Sequence, residues 1–491
     1  MLLNRHAQPA LTRGRRFLVL GICSMSLLIV SIDTTIVNVA LPAIRQSLHA
    51  PVSGLQWTID AYTLVLASLL ILAGSTGDRV GRRRVFQIGL AVFVLASLLC
   101  ALAPTLELLV AARVLQAIGG SMLNPVALSI IRNVFDDPRE RAHAIGVWAA
   151  VFGVSMALGP VIGGALVDSA GWRWVFLVNI PIGLLAILLT ALFVPDSRAL
   201  HPRRPDPVGQ VLVIAGLATL TYAIIEGRTA GWLSPEILTL FTVAAASFVL
   251  LVVYERRREE PLLDVRFFHS APFAGASATA VLAFASLGGF LFLNTLYLQD
   301  ARGLSPLHAG MLMLPMAAMT IVASPLSGRL LGHYGARPSL VGGALAMLVA
   351  ALMLTGLQTD TSEAHLIAAY LVFGLGFGLV NPPITNFAVS GMPAAQAGVA
   401  AATTSTSRQV GTTLGVAVIV PVAGGAIASH GGVAAEFAGA THPAWWLLVG
   451  LSLVILALGL ITTTNWAEAT ARRTAQLFSA EGAAAARPVE A

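Results

Sequence analysis

The chain has 491 residues, 57% of them hydrophobic and 11% charged, with a formal net charge of +6. At a mean hydropathy of +0.83 it carries too little charge to cover a water-soluble surface. All 29 cations are arginine, set in short loops between apolar blocks, a placement that suits anionic headgroups and gives no nucleic-acid face.

The apolar blocks run about 20 residues, the length a helix needs to cross roughly 30 Å of hydrocarbon. Lipid offers no hydrogen bonds, so each block must be helical. The predicted class is an all-α polytopic membrane protein. Fourteen spans are predicted, at 17–39, 55–76, 85–103, 106–130, 143–167, 174–194, 208–226, 236–254, 272–296, 308–331, 338–357, 364–389, 397–421 and 443–465. The first span contains Asp33 and is followed by many more, so it reads as an uncleaved helix rather than a signal peptide. Cys23 and Cys100 fall inside spans and read as packing residues.

With the N-terminus inside, the loop arginines fall on the cytoplasmic side except Arg45, Arg173, Arg228 and Arg302, while Arg113 and Arg408 lie within spans. An even span count returns the C-terminus to the same side. The expected location is a bacterial inner membrane. Pro- and Arg-rich linkers at 195–207 and 254–271 bracket two helices with few polar signatures, so the chain reads as six helices, an inserted pair and six more. The predicted units are a cytoplasmic N-terminus at 1–16, a six-helix half at 17–194, linkers and inserted pair at 195–271, and a second half at 272–465. A cytoplasmic tail, 466–491, is expected to be disordered.

Three lone charges mark the first half. By helix rise, Asp33 lies about 9 Å below the outer end of the first span, Asp60 about 8 Å into the second and Arg113 about 10 Å below the outer end of the fourth. Ionisable groups in a membrane are costly and mark function. Asp33 is the first choice for a titrating carboxylate with Arg113 as its charge partner, and Asp60 is the second. A static ion pair holding helices together is the competing reading. After the second span, Gly74, Asp78, Arg79, Gly81, Arg82 and Arg83 form a segment repeated weakly after the tenth, where Gly328 matches Gly74, Gly335 matches Gly81 and Arg337 matches Arg83. Two similar halves are what a rocking transporter needs. Asp78 and its neighbours read as a conformational latch, or as a positive-inside anchor. In the fifth span Gly159, Pro160, Gly163 and Gly164 allow close helix approach and a bend.

The ordered motifs are Asp33-Thr-Thr-Ile-Val-Asn38-Val-Ala-Leu-Pro42, Trp57-Thr-Ile-Asp60-Ala-Tyr62, the Gly74…Arg83 loop, Arg113-Val-Leu-Gln116, the fifth-span set Gly146, Ser155, Gly159-Pro160 and Gly163-Gly164, the stretch Gly171-Trp172-Arg173 to Asn179-Ile-Pro181-Ile-Gly183, and Gly303-Leu-Ser305-Pro306. Over residues 17–465 the chain thereby resembles the major facilitator superfamily, and more narrowly its fourteen-span drug:proton antiporters of the EmrB/QacA type. Ala117 and Ser155 stand where the family usually has glycine. The resemblance implies a major facilitator fold, proton-coupled export of small hydrophobic compounds, and a gate formed by the fifth span (Gly146, Gly159, Pro160, Gly163, Gly164) against the tenth. The alternative function is export of a physiological solute such as a siderophore, lipid or self-made antibiotic.

Asn38, Tyr62, Met122, Phe152, Phe284 and Phe290 are candidate cavity residues. Arg408 would either contact substrate or pair with a carboxylate such as Asp300. His333, His430 and His442 read as solvated. No cofactor is expected: a phosphate-cradling Gly-x-x-x-x-Gly-Lys loop is missing, which removes ATP as the energy source, and no metal-ligand or nucleophile constellation occurs. The expected partners are a small-molecule substrate, protons and the bilayer, and the expected state is monomeric.

Overall fold

The computed structural model describes residues 12–135, 137–198, 206–258, 261–262, 264–389, 397–423 and 434–485. Part of the first linker, His430 and the last six residues lie outside these. The first half contains α1 (Arg13–Leu48), α2 (Val52–Val80), α3 (Arg82–Leu102), α4 (Leu106–Val134), α5 (Pro138–Ala170), α6 (Trp174–Leu177) and α7 (Asn179–Phe193). Where the inserted pair is expected lie α8 (Pro207–Ala230) and α9 (Pro235–Glu255). The second half contains α10 (Ala271–Leu296), α11 (Pro306–Leu312), α12 (Leu314–Tyr334), α13 (Ala336–Leu354), α14 (Glu363–Val389), α15 (Ala397–Ala423) and α16 (Ala434–Thr462), followed by α17 (Asn465–Ala485). The helices start at sequence-legible caps: Thr105, Asp137, Asp206, Ser234, Ser270 and Ser305 each accept from the backbone N–H of their helix's third residue, Asp137 also from the second.

Among the described residues, 13 helices or helix pairs are long and apolar enough to cross a membrane. Against the fourteen spans expected, α15 does not reach that apolarity: it carries the polar run Thr403-Thr-Ser-Thr-Ser-Arg408-Gln409 on a helix packed against α10, α2 and α16. The tail departs from expectation. Instead of lacking structure, residues 465–485 form α17, because an alanine-rich run has high helix propensity and Phe478 anchors it on Phe267 and Phe273.

The halves meet mainly through α2 on α15 and through α5 on α11 and α12. Hydrogen bonds tie them at the end of the bundle where α1 finishes. Arg45 pairs with Asp300 at 3.3 Å, Gln299 donates to the Val39 carbonyl at 2.9 Å, Gln56 donates to the Val416 and Ala417 carbonyls at 3.1 and 3.2 Å, and Asp168 accepts from the Leu307 N–H at 3.0 Å. We call this the far end. The starts of α1 and α10 lie at the opposite, near end, as does α17, whose Thr470 accepts from the Ala271 N–H.

The inserted α8 lies over the seam between the halves. On α2, Glu226 accepts from the Trp57 indole at 3.0 Å and Gln210 donates to the Ser68 carbonyl at 2.5 Å. On α15, Arg228 donates to the Pro421 carbonyl at 3.3 Å. Leu217 packs with Leu64 and Ala67 of α2 and reaches Val410 of α15.

Candidate functional site

Arg113 and Gln116, three apart on α4, share one helix face, and that face meets α1, α2 and α3. Arg113 pairs with Asp33 at 2.5 Å. It also donates to the Gln116 side-chain oxygen at 2.6 Å and, through Nε, to the Thr58 carbonyl at 3.0 Å. Asp33 accepts two further bonds on Oδ1, from Gln116 at 2.8 Å and from Asn179 at 2.9 Å, and Gln116 also donates to Ser97 at 2.9 Å. The Tyr62 ring lies under the guanidinium with its centroid 4.1 Å away. Asp33 and Arg113 are 0% and 1% exposed. Removing two charges from water costs several kcal/mol per ion and is recovered only when the remaining lone pairs and protons are satisfied. Here Asp33 has three donors, and Arg113 retains a carbonyl, an amide oxygen and a ring besides the carboxylate. The cation therefore has partners left if the aspartate loses its charge.

Asp60 is not joined to this network. It is 0% exposed, and both carboxyl oxygens are buried without a hydrogen-bond partner among the described residues. Gln56, Asp60, Thr63 and Ala67 share one face of α2 by helical spacing. Gln56 bonds α15 carbonyls, and Thr63 meets the Thr413 hydroxyl at 2.8 Å. Asp60 thus sits in the seam between the two halves.

After α2, Asp78, Arg82 and Arg83 form bonds within the first half and the segment that directly follows it. Asp78 pairs with Arg82 at 2.8 Å, the Arg82 N–H donates to the Ser197 carbonyl at 2.9 Å, and Arg83 donates to the Ala191 carbonyl. Gly81 has φ +120°, and a Cβ there would meet Asp196 at 3.0 Å. Gly74 and Gly77 face Pro125 and Val126 of α4, and Arg79 is half-buried beside them. Gly81→Ala should lower the melting temperature by an amount equivalent to about 1–3 kcal/mol, read by thermal unfolding in detergent.

The fifth-span glycines divide between two partners. Gly159 and Gly163 lie against Thr35 and Ile36 of α1, whereas Gly164 faces Pro306 and Leu307 of α11. From the other side Gly310 seats on the Pro160 carbonyl. Gly146 stands apart at the near end with nothing within 4 Å of an added Cβ. Gly146→Ala should therefore leave stability within about 0.5 kcal/mol and transport unchanged, by the same melting curve and a flux assay.

Of the cavity candidates, Asn38 and Tyr62 are buried, with Asn38 donating to the Thr34 carbonyl at 2.9 Å. Met122 packs in the first-half core, and Phe152 against the larger core that includes Phe284 and Phe290. Arg408 does not meet Asp300, which Arg45 holds. It donates to Thr385 at 2.6 Å and lies 5.6 Å from the Phe284 ring centre. His442 is not solvated but bonds the Leu357 carbonyl at 3.0 Å. The sequence gives no individual role to Gln116 or Asn179, which stand only as members of the Arg113–Gln116 and Gly171–Gly183 motifs.

The Major Facilitator Superfamily model matches residues 23–416. The chain is 37% identical over 395 residues to the multidrug resistance protein Stp of Mycobacterium tuberculosis, covering 80% of this chain and 73% of that one. It is 36% identical over 416 residues to the tetracenomycin C resistance and export protein of Streptomyces glaucescens, covering 84% and 77%. In fold it is similar to a bacterial homologue of the human drug peptide transporters PepT1 and PepT2, with a TM-score of 0.66 at 15% identity over 94% of this chain and 99% of that one. This multi-pass membrane protein belongs to the Major Facilitator Superfamily and is a transporter, not an enzyme.

Proposed function

We propose that the protein exports small hydrophobic or amphipathic compounds in exchange for protons, as a fourteen-span antiporter in which α15 is the remaining crossing helix. The near end, with both described chain termini and most loop arginines, faces the cytoplasm. The names of its relatives support drug export. A narrower reading, export of an antibiotic, is favoured by the tetracenomycin relative.

The observation that carries proton coupling is the sealed Asp33–Arg113 pair. A proton on Asp33 cancels its charge while Thr58, Gln116 and Tyr62 still hold the guanidinium, so the network can exist in two charge states without a bare ion. Asp60 is the second acid. Partnerless and in the seam, it gains water only when α2 and α15 separate. Gly164, Pro160 and Gly310 supply the close packing that shuts the far end, and the Asp78–Arg82 segment is bound within its own half while the far end is shut.

The test is efflux of ethidium in everted vesicles, which should stop when an uncoupler collapses the proton gradient. An unchanged rate would overturn the antiport reading. Asp60→Asn should keep the protein folded, since it removes a costly unpaired carboxyl, yet change the pH dependence of that efflux; an identical pH profile removes Asp60 from the coupling.

A further inference from the structure

The clearest unassigned surface is α17, the helix that replaces the expected disordered tail. Two residues separate it from α16, and Thr464 starts it afresh by accepting from the Ala467 N–H at 3.3 Å. One face of α17 is held by the protein: Ala467, Thr474 and Phe478 are buried, Phe478 packs 5.3 Å from the Phe267 ring, and Arg266 covers it at 4.9 Å. A second face, by helical spacing, carries Trp466, Arg473 and Leu477. Trp466 and Leu477 are 63% and 55% exposed. The third face is polar, with Glu468 and Arg472 paired at 3.6 Å in solvent and Gln476 beside them.

The exposed apolar face continues the wall of α16, where Leu453, Val454, Leu460 and Ile461 are also exposed. In a transporter that wall faces lipid. Trp is the residue that anchors at the membrane interface, and arginine beside it matches an anionic headgroup. The near end supplies more exposed cations in Arg13, Arg15, Arg84, Arg256 and Arg257.

We propose that α17 is a membrane-surface helix whose Trp466–Arg473–Leu477 face seats on anionic phospholipid, joining the lipid surface to the start of α10. The occupant is the leaflet at the near end rather than a protein partner, because the face follows directly in the chain on the exposed apolar residues of α16 and its charge is positive.

The experiment uses full-length protein reconstituted in vesicles of phosphatidylcholine with or without phosphatidylglycerol. Spin labels are placed singly by Leu477→Cys and Gln476→Cys; Cys23 and Cys100 are buried and stay unlabelled. The label at 477 should relax with oxygen more than with a water-soluble nickel chelate, and the label at 476 should do the reverse. Phosphatidylglycerol should raise the melting temperature of the parent protein, and the double variant Arg472→Gln/Arg473→Gln should lose most of that rise. Equal, water-like relaxation at both labels would overturn the seating. An undiminished rise in the double variant would overturn the anionic choice.

Discussion

Asp33→Asn is expected to abolish ethidium efflux driven by a pH gradient while the protein remains folded in the membrane. Asparagine still offers an oxygen to Arg113, so geometry is largely kept, but the site can no longer gain and lose a proton. Removing one partner of a buried ion pair commonly costs about 3–5 kcal/mol. The carbonyl of Thr58, the oxygen of Gln116 and the Tyr62 ring already serve the guanidinium, so the cost should fall at the low end of that range. Two measurements separate coupling from damage. The melting temperature in detergent should fall modestly, and flux down a substrate gradient without a proton gradient should persist. Arg113→Ala should lose coupled efflux too, with Asp33 kept by Gln116 and Asn179. Wild-type coupled rates from Asp33→Asn would remove the assignment.

Gly164→Val should act through shape. A Cβ at 164 would stand 2.5 Å from the Pro306 oxygen and 2.6 Å from the Leu307 Cα, and backbone atoms cannot rotate away as a side-chain tip can. Overpacking of this kind costs typically about 1–3 kcal/mol, and each 1.4 kcal/mol is about tenfold in an equilibrium. The arrangement with the far end shut should therefore lose about tenfold to a hundredfold in population, and transport should fall with it. The readout is thiol labelling of a Gln56→Cys probe, which sits under the α2–α15 contact and should label faster in the valine variant. Gly146→Ala serves as the control from the same helix.

The spans were legible because hydrocarbon imposes one length and one chemistry on every crossing helix. That rule weakens at α15, whose polar run lies on a helix packed against α10, α2 and α16, so the span expected at 397–421 is the one that falls short in apolarity. The tail was misread for a related reason: composition reports solubility, whereas the register that places Phe478 on Phe267 is a tertiary fact. Within the site, Asp33 and Arg113 stood out since a lone charge in an apolar run is expensive. Gln116 and Asn179 did not, because neutral amides are cheaper to bury and gain meaning only when the network is seen. The fifth-span glycines were visible as a group. Which of them face α1, which face α11 and which faces nothing depends on the rotation of α5, and sequence spacing does not fix that.

Helix α8 covers the boundary between α2 and α15 and packs on both, with α9 behind it, but its hydrogen bonds among the described residues are uneven. Two levels of hydrogen bonding bind α8 to α2, while a single bond on an exposed arginine reaches α15. A neutral or exposed bond of this kind contributes about 1 kcal/mol. When α2 and α15 part, the bond on the exposed arginine should break first, and α8 should stay on α2 while Leu217 leaves Val410.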